Sequence, residues 1–196
     1  MKVLILASGR GSNARAVMEA AASGRIRAEV CALFSDVADA PALSAAREFS
    51  VPARFIDPGG HGARLSSEGE AAYIEAMREV CADLVVLAGF MRILPDSIVR
   101  EFEGKMINLH PSLLPAYKGK DAIRRAFEAR EARGGCSVHF VSGELDGGRV
   151  IAQKAVDILP SDTLETFEER VHAAERGLLV GVVSDFADGK LGAGAE

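Results

Sequence analysis

The chain has 196 residues, 48% hydrophobic and 26% charged, with a net charge of −5. This suits one large globular domain with a substantial core, and the acidic balance gives no electrostatic footprint for nucleic acid or an anionic membrane. The longest apolar run, Leu84 to Met91, is far too short to span a bilayer.

Cys31, Cys81 and Cys136 are odd in number, widely spaced and outside any CxxC pair. That argues against a disulfide framework or a zinc site and for a reduced cytoplasm. The densest basic patch, Arg124, Arg125, Arg130 and Arg133, is interleaved with Glu128 and Glu131 and reads as a solvated helix face. The N-terminal residues run straight into a strand, with the wrong length and flanks for a signal peptide. No internal repeat is visible, and Gly192 to Glu196 is expected to fray.

In chain order, Val3 to Ala7 is a continuous apolar run, as expected of a strand buried on both faces. Ser8 to Asn13 is a glycine-rich turn, and a helix follows from Ala14 to Ala22. A strand is predicted over Glu29 to Ser35. A helix is predicted from Asp39-Ala40-Pro41 to Glu48, with aspartate and proline as N-terminal signals. A short strand, Val51 to Ile56, leads into the loose loop Asp57 to Gly62. Then come a helix from Ser67 to Cys81 and the most apolar strand, Leu84 to Ala88. After the loop Phe90 to Pro95, a short helix (Asp96 to Phe102), a strand (Met106 to Leu109) and a helix (Lys120 to Arg130) are predicted. The chain ends in strands Cys136 to Val141 and Val150 to Val156, pairing as a hairpin, and a long helix capped by Ser161-Asp162-Thr163 and running to about Ala187. The alternation of strand and helix predicts an α/β fold: a Rossmann-like, mostly parallel, twisted sheet of about seven strands with helices on both faces, in a single domain.

Three stretches carry chemistry. In Ile107-Asn108-Leu109-His110-Pro111, residues two apart share a face of the strand, so Asn108 and His110 point the same way. Pro111 ends the ladder because it has no N–H. An amide and an imidazole side by side at the C-terminal edge of an open α/β sheet can bind and polarise a carbonyl oxygen. Gly9-x-Gly11-Ser12-Asn13, between a strand and a helix, suits a terminal phosphate. It also matches a dinucleotide pattern, with Asp36 near where a ribose-binding acid would lie. Phe90 to Leu94, an apolar loop at the sheet edge, suits a flat aromatic ligand, and its Arg92 either anchors an acid or supports the loop. Asp146, in Glu144-Leu145-Asp146-Gly147-Gly148, is either a turn residue or a carboxylate that orients and charges His110.

Gly-Ser-Asn after the first strand, Leu-Ala-Gly-Phe-Met-Arg-Ile-Leu, Asn-Leu-His-Pro-Ser-Leu-Leu-Pro, Ser-Val-His-Phe-Val and Glu-Leu-Asp-Gly-Gly occur in this order in one chain. Together they closely resemble the phosphoribosylglycinamide formyltransferases, folate-dependent enzymes of purine synthesis, over residues 2–191. The resemblance implies a formyltransferase domain spanning residues 1–191, with Asn108, His110 and Asp146 in the positions of the catalytic trio. It puts Gly11, Ser12, Asn13 and Glu175 at the ribose-phosphate end of the acceptor. Phe90, Met91, Arg92, Ile93 and Leu94, with Asn108, take the place of the folate pocket. Ser142, Gly143, Glu144, Leu145 and Asp146 form its other wall. It implies 10-formyltetrahydrofolate as co-substrate, glycinamide ribonucleotide as acceptor, no metal, a cytoplasmic location, small molecules as the only partners, and a monomer or homodimer. The chain departs from the family pattern at Arg176, Leu179 and Val180, expected at the rim of the site. It also has Glu70 where a folate-contacting arginine is common, with Arg64 earlier in the chain.

The expected reaction is attack of a primary amine on the formyl carbon, with Asn108 and protonated His110 stabilising the oxyanion and Asp146 holding His110. The alternatives are a formyltetrahydrofolate deformylase, which usually has an extra N-terminal domain, and a methionyl-tRNA formyltransferase, which has a further C-terminal domain and a basic surface. A nicotinamide-dependent oxidoreductase resting on Gly9-x-Gly11 is a third.

Overall fold

The most apolar stretches of the chain form the centre of one sheet. The computed structural model describes residues 1–60 and 62–192, so most of the expected frayed tail lies outside the described residues. The elements are β1 (Lys2–Leu6), α1 (Ser12–Ala22), β2 (Glu29–Ser35), α2 (Pro41–Glu48), β3 (Ala53–Phe55), α3 (Ser67–Val80), β4 (Leu84–Leu87), α4 (Asp96–Glu101), β5 (Met106–His110), α5 (Ala122–Glu128), β6 (Arg133–Phe140), β7 (Val150–Asp157) and α6 (Leu164–Ala187). The seven strands run in the order β3-β2-β1-β4-β5-β6-β7. β1 to β5 are parallel, and β6 and β7 are antiparallel to their neighbours.

Side-chain alternation divides the core. Val3, Ile5, Val86, Ile107 and Leu109 pack on one face with residues of α1, α2 and α6. Leu4, Leu6, Val85, Leu87 and Met106 pack on the other with α3 and α4. Fully burying each such side chain is worth about 1.5–3 kcal/mol, and a strand apolar on both faces gains this on each side. Met106 fixes the parity of β5, so Asn108 and His110 fall on the α3/α4 face. The long helix α6 begins with a reciprocal cap: Thr163 Oγ1 accepts from Thr166 N, and Thr163 N donates to Thr166 Oγ1 at 3.0 Å.

Several boundaries differ from the sequence expectation, each for a local reason. α1 starts two residues early, at Ser12, because Gly11 at φ 73° forms its left-handed N-cap. β3 is shorter, and Pro52 has no N–H to give to a ladder. α5 is shorter at its N-terminus because Gly119 (φ 80°) and Asp121 (φ 56°) are left-handed. β6 starts three residues early, at Arg133, and runs through two glycines that weaken a sequence-based strand assignment. A Cβ on Gly134 would stand 2.8 Å from the Phe167 ring of α6, and one on Gly135 (φ 149°) 2.1 Å from Lys154 O of β7. Only glycine admits both neighbours.

Candidate active site

The strand order reverses between β1 and β4: the chain passes from β1 outward to β3, then returns to β4 on the other side. Ligands of open α/β sheets bind beyond the strand C-termini at such a switch point. The loops after β1 and β4 meet there, with Ser8 N donating to Gly89 O (3.1 Å) and Met91 N to Ser8 Oγ (2.8 Å). A cavity of about 490 Å³ opens on the α3/α4 face, lined by Gly89 to Leu94, Asn108 to Pro111, Gly119 to Asp121, His139 and Val141 to Asp146.

Asp146 is the hub of the polar end. It is 8% exposed and sits in a left-handed turn (φ 49°). Its Oδ2 accepts from Gly119 N (2.8 Å) and lies 3.3 Å from His110 Nδ1. Its Oδ1 accepts from Asn108 Nδ2 (3.3 Å) and lies 3.7 Å from His139 Nε2. The other His110 nitrogen, Nε2, is 3.0 Å from Tyr117 O. Both His110 ring nitrogens therefore face acceptors, and only the doubly protonated ring donates to both. Burial alone would raise the Asp146 carboxyl. The approach of His139, the Gly119 N–H and the neighbouring His110 ring outweigh it and hold the group below the usual carboxylate range.

His139 was not singled out by sequence reasoning. It pairs directly with Asn108 across β5 and β6, so the two side chains share a face, and Asn108 Nδ2 is 3.1 Å from its Nε2. His139 Nδ1 is 2.8 Å from Phe140 O. Facing that carbonyl, Nδ1 is a donor, while Nε2 faces both the Asn108 amide and Asp146 Oδ1. The amide nitrogen of Asn108 is thus turned toward His139 and Asp146. Period-two spacing put Asn108 beside His110, but the register of β6 against β5 cannot be read from sequence spacing.

The apolar end comes from the loop after β4. Phe90 and Leu94 are buried, each 8% exposed, and belong to the core under α3; only Met91 is open, at 65%. On the opposite wall Leu145 is 54% exposed. The side chain of Arg92 is turned into the protein. Its Nε donates to Asp36 Oδ2 at 2.6 Å and its Nη1 to Gly60 O and Gly62 O. Of the two roles open to Arg92 from sequence, the contacts are those of loop support. Asp36, with its side chain 3% exposed against Arg92, is not presented to a ribose as a dinucleotide-binding acid would be.

Gly11, Ser12, Asn13 and Glu175 form a second cluster where α1 packs on α6, outside the residues that line the cavity. Gly11 is the N-cap of α1 and Ser12 and Asn13 begin its first turn, which carries no acidic residue, so its N–H groups favour an anion. Asn13 Nδ2 donates to Glu175 Oε2 (3.4 Å), and Asn13 Oδ1 is buried without a partner among the described residues. Glu175, 5% exposed, continues the buried stripe Phe167-Val171-Glu175-Leu179 of α6. A carboxylate in an apolar stripe was a readable signal. His172, one turn earlier, places Nδ1 2.8 Å from Glu175 Oε2, which raises its pKa against half-burial and the charge of Arg10. Leu179 is fully buried in the core rather than at a rim. Glu70 accepts from Ser97 and joins α3 to α4, while Arg64 is exposed beside the cavity wall, bridged to Ile93. Among the described residues no group of three or more His, Cys, Asp or Glu could hold a metal ion, and no helix is long and apolar enough to cross a membrane.

Comparison with known proteins gives the family. The model of the formyl transferase family matches residues 1–183. The phosphoribosylglycinamide formyltransferase of Escherichia coli is 39% identical over 191 residues, covering 97% of this chain and 89% of that protein. The trifunctional purine biosynthetic protein adenosine-3 of Gallus gallus is 40% identical over 175 residues, 89% of this chain but 17% of that larger protein. Among solved structures, glycinamide ribonucleotide transformylase 1 from Symbiobacterium toebii superposes with a TM-score of 0.90 at 37% identity, covering 96% of this chain and 88% of that one. The chain belongs to the formyl transferase family.

Proposed function

We propose that the protein transfers the formyl group of 10-formyltetrahydrofolate to the primary amine of glycinamide ribonucleotide, a step of de novo purine synthesis. The observation that carries this reading is the convergence of Asn108, His110 and Asp146 in a cavity that is also lined by the apolar residues Phe90, Met91, Ile93, Leu94 and Leu145. A flat pterin suits the apolar end, walled by Phe90 to Leu94 and Ser142 to Leu145, and its formyl group then lies toward Asn108 and His110. The acceptor's phosphate suits the α1 N-terminus at Gly11, Ser12 and Asn13, with Glu175 at its ribose. Arg64, exposed beside the Ile93 wall, is the cation we assign to the acidic tail of the folate.

The amine attacks the formyl carbon, and negative charge gathers on the formyl oxygen. The Asn108 amide and the His110 ring rest on Asp146 and Tyr117 O. The Asn108–Asp146 bond, at 3.3 Å, is long enough to be exchanged for a charged oxygen at small cost. Collapse breaks the bond from carbon to N10. The amine loses one proton and N10 gains one, with Asp146 as the ionised group placed to relay it. Residues 1–191 act as one catalytic domain, working as a monomer or homodimer without a metal. The three free cysteines support a reduced, cytoplasmic setting. The test is single-turnover formyl transfer in Asn108→Ala and His110→Ala. Each should lose about 100- to 1,000-fold in rate, and near-normal turnover in His110→Ala would remove the mechanism.

A further inference from the structure

We infer that Asp36, which does not line the cavity, is a positioning residue for the formyl-donor wall. The inference rests on the donor site proposed above. Asp36 directly follows β2, with its side chain 3% exposed, and its Oδ2 accepts from Arg92 Nε at 2.6 Å. Arg92 is itself mostly buried, its side chain 14% exposed. Its Nη1 reaches on to the carbonyls of Gly60 and Gly62, in the loop between β3 and α3. The same two loops are stitched by backbone: Ile93 N donates to Ala63 O at 2.7 Å, and Arg64 bridges Ile93. One guanidinium therefore ties the end of β2, the β4 loop and the glycine-rich loop together, and the last two carry cavity wall at Ala63 and at Phe90 to Leu94.

Charge explains why the anchor is an acid. An arginine buried without an anion is strongly disfavoured, whereas a well-packed apolar pair serves bare stability as well as an ion pair does. The ion pair adds direction. A forked donor with fixed geometry sets three acceptors at once, and here that sets the backbone of a wall with little regular structure of its own. Tyr73 belongs to the same unit: its buried hydroxyl feels the Asp36 charge, and its ring meets Phe90 edge-on with centroids 5.6 Å apart.

The experiment compares wild type with Asp36→Ala and Asp36→Asn. In Asp36→Ala the KM for 10-formyltetrahydrofolate should rise about tenfold or more, with kcat and the KM for glycinamide ribonucleotide within twofold. Asp36→Asn keeps an acceptor for Arg92 Nε and should recover part of that loss. Amide hydrogen exchange supplies a readout independent of activity: the Ile93 N–H should lose at least tenfold of its protection in Asp36→Ala, while the β1 and β4 amides keep theirs. If Asp36→Ala does not fold, the double variant Asp36→Ala/Arg92→Met, which leaves no unpaired charge, should show the same loss at Ile93. Unchanged donor KM and unchanged Ile93 protection in a folded variant would overturn the inference. A wild type without formyl transfer would instead sink the proposed function, while the Ile93 exchange would still test the strut.

Discussion

Replacing Asp146 with asparagine isolates the charge at the centre of the site. The substitution is nearly isosteric, and asparagine tolerates the left-handed backbone that Asp146 adopts at φ 49°, so no main-chain strain confuses the result. The carboxylate receives donors at both oxygens: Gly119 N and His110 Nδ1 at one, Asn108 Nδ2 at the other. An amide offers one acceptor and one NH2, so one end must set donor against donor in a site that is 8% exposed. A buried donor left unsatisfied costs about 1–3 kcal/mol, and unfolding in urea at pH 7 should show a deficit of that size. The effect on chemistry is larger, because the carboxylate that orients His110 is gone. Neutralising a carboxylate in that role lowers turnover by about 10⁴-fold, and we expect a loss of about 10³- to 10⁴-fold in single-turnover formyl transfer at saturating substrates. The pH dependence has a definite sign. The folded-state pKa of Asp146 is depressed, so its contribution is present above the unfolded value near 3.9 and is lost as pH falls through the folded value. The stability gap between wild type and Asp146→Asn should therefore hold at neutral pH and close in acid. Turnover within tenfold of wild type would refute this account of the site.

Other outcomes follow from the same geometry. Gly135→Ala places a Cβ 2.1 Å from Lys154 O at φ 149°, and the variant should be destabilised by about 2 kcal/mol or more in chemical denaturation. A wild-type midpoint would show that β6 and β7 do not need that close approach. His172 has a raised folded-state pKa, chiefly through Glu175. Its contribution is full below the unfolded value near 6.5 and is lost as pH rises through the folded one. The Tm difference between wild type and His172→Ala should shrink from pH 5.5 to pH 9, and a difference that grows would contradict the pairing. Gly11→Ala, at φ 73° with a Cβ 2.6 Å from Ala42 Cβ, should raise the KM for the phosphorylated acceptor more than that for the donor. Arg64→Ala should raise the donor KM severalfold and leave the acceptor KM alone; steady-state kinetics with each substrate varied in turn decides both.

Much of this was legible in the sequence because it depends on local rules. The apolar runs at β1 and β4 leave no other reading than buried strands, and Pro111 ends β5 where the ladder loses its donor. Asn108 and His110 share a face through period two alone, and the acidic turn at Asp146 was already a candidate to meet His110. What could not be read depends on register and on direction. His139 reaches Asn108 only because β6 pairs antiparallel with β5 in one register. Arg92 sits in a cavity-lining loop, yet its guanidinium turns inward to Asp36, fifty-six positions earlier in sequence. Gly134 and Gly135 fall outside the strand expected from Cys136 onward; they are the places where Phe167 and the β7 backbone come too close for a Cβ. Glu175 could have been found from the periodicity of α6, since it occupies a core position of an otherwise apolar stripe.

The nucleophile that the site accepts decides the function. Purified protein supplied with 10-formyltetrahydrofolate should consume it rapidly only when glycinamide ribonucleotide is present, releasing tetrahydrofolate and the formylated ribonucleotide in equal amounts. Water alone and methionyl-tRNA should be poor acceptors. Rapid loss of the formyl group to water, or equal transfer to methionyl-tRNA, would contradict the assignment.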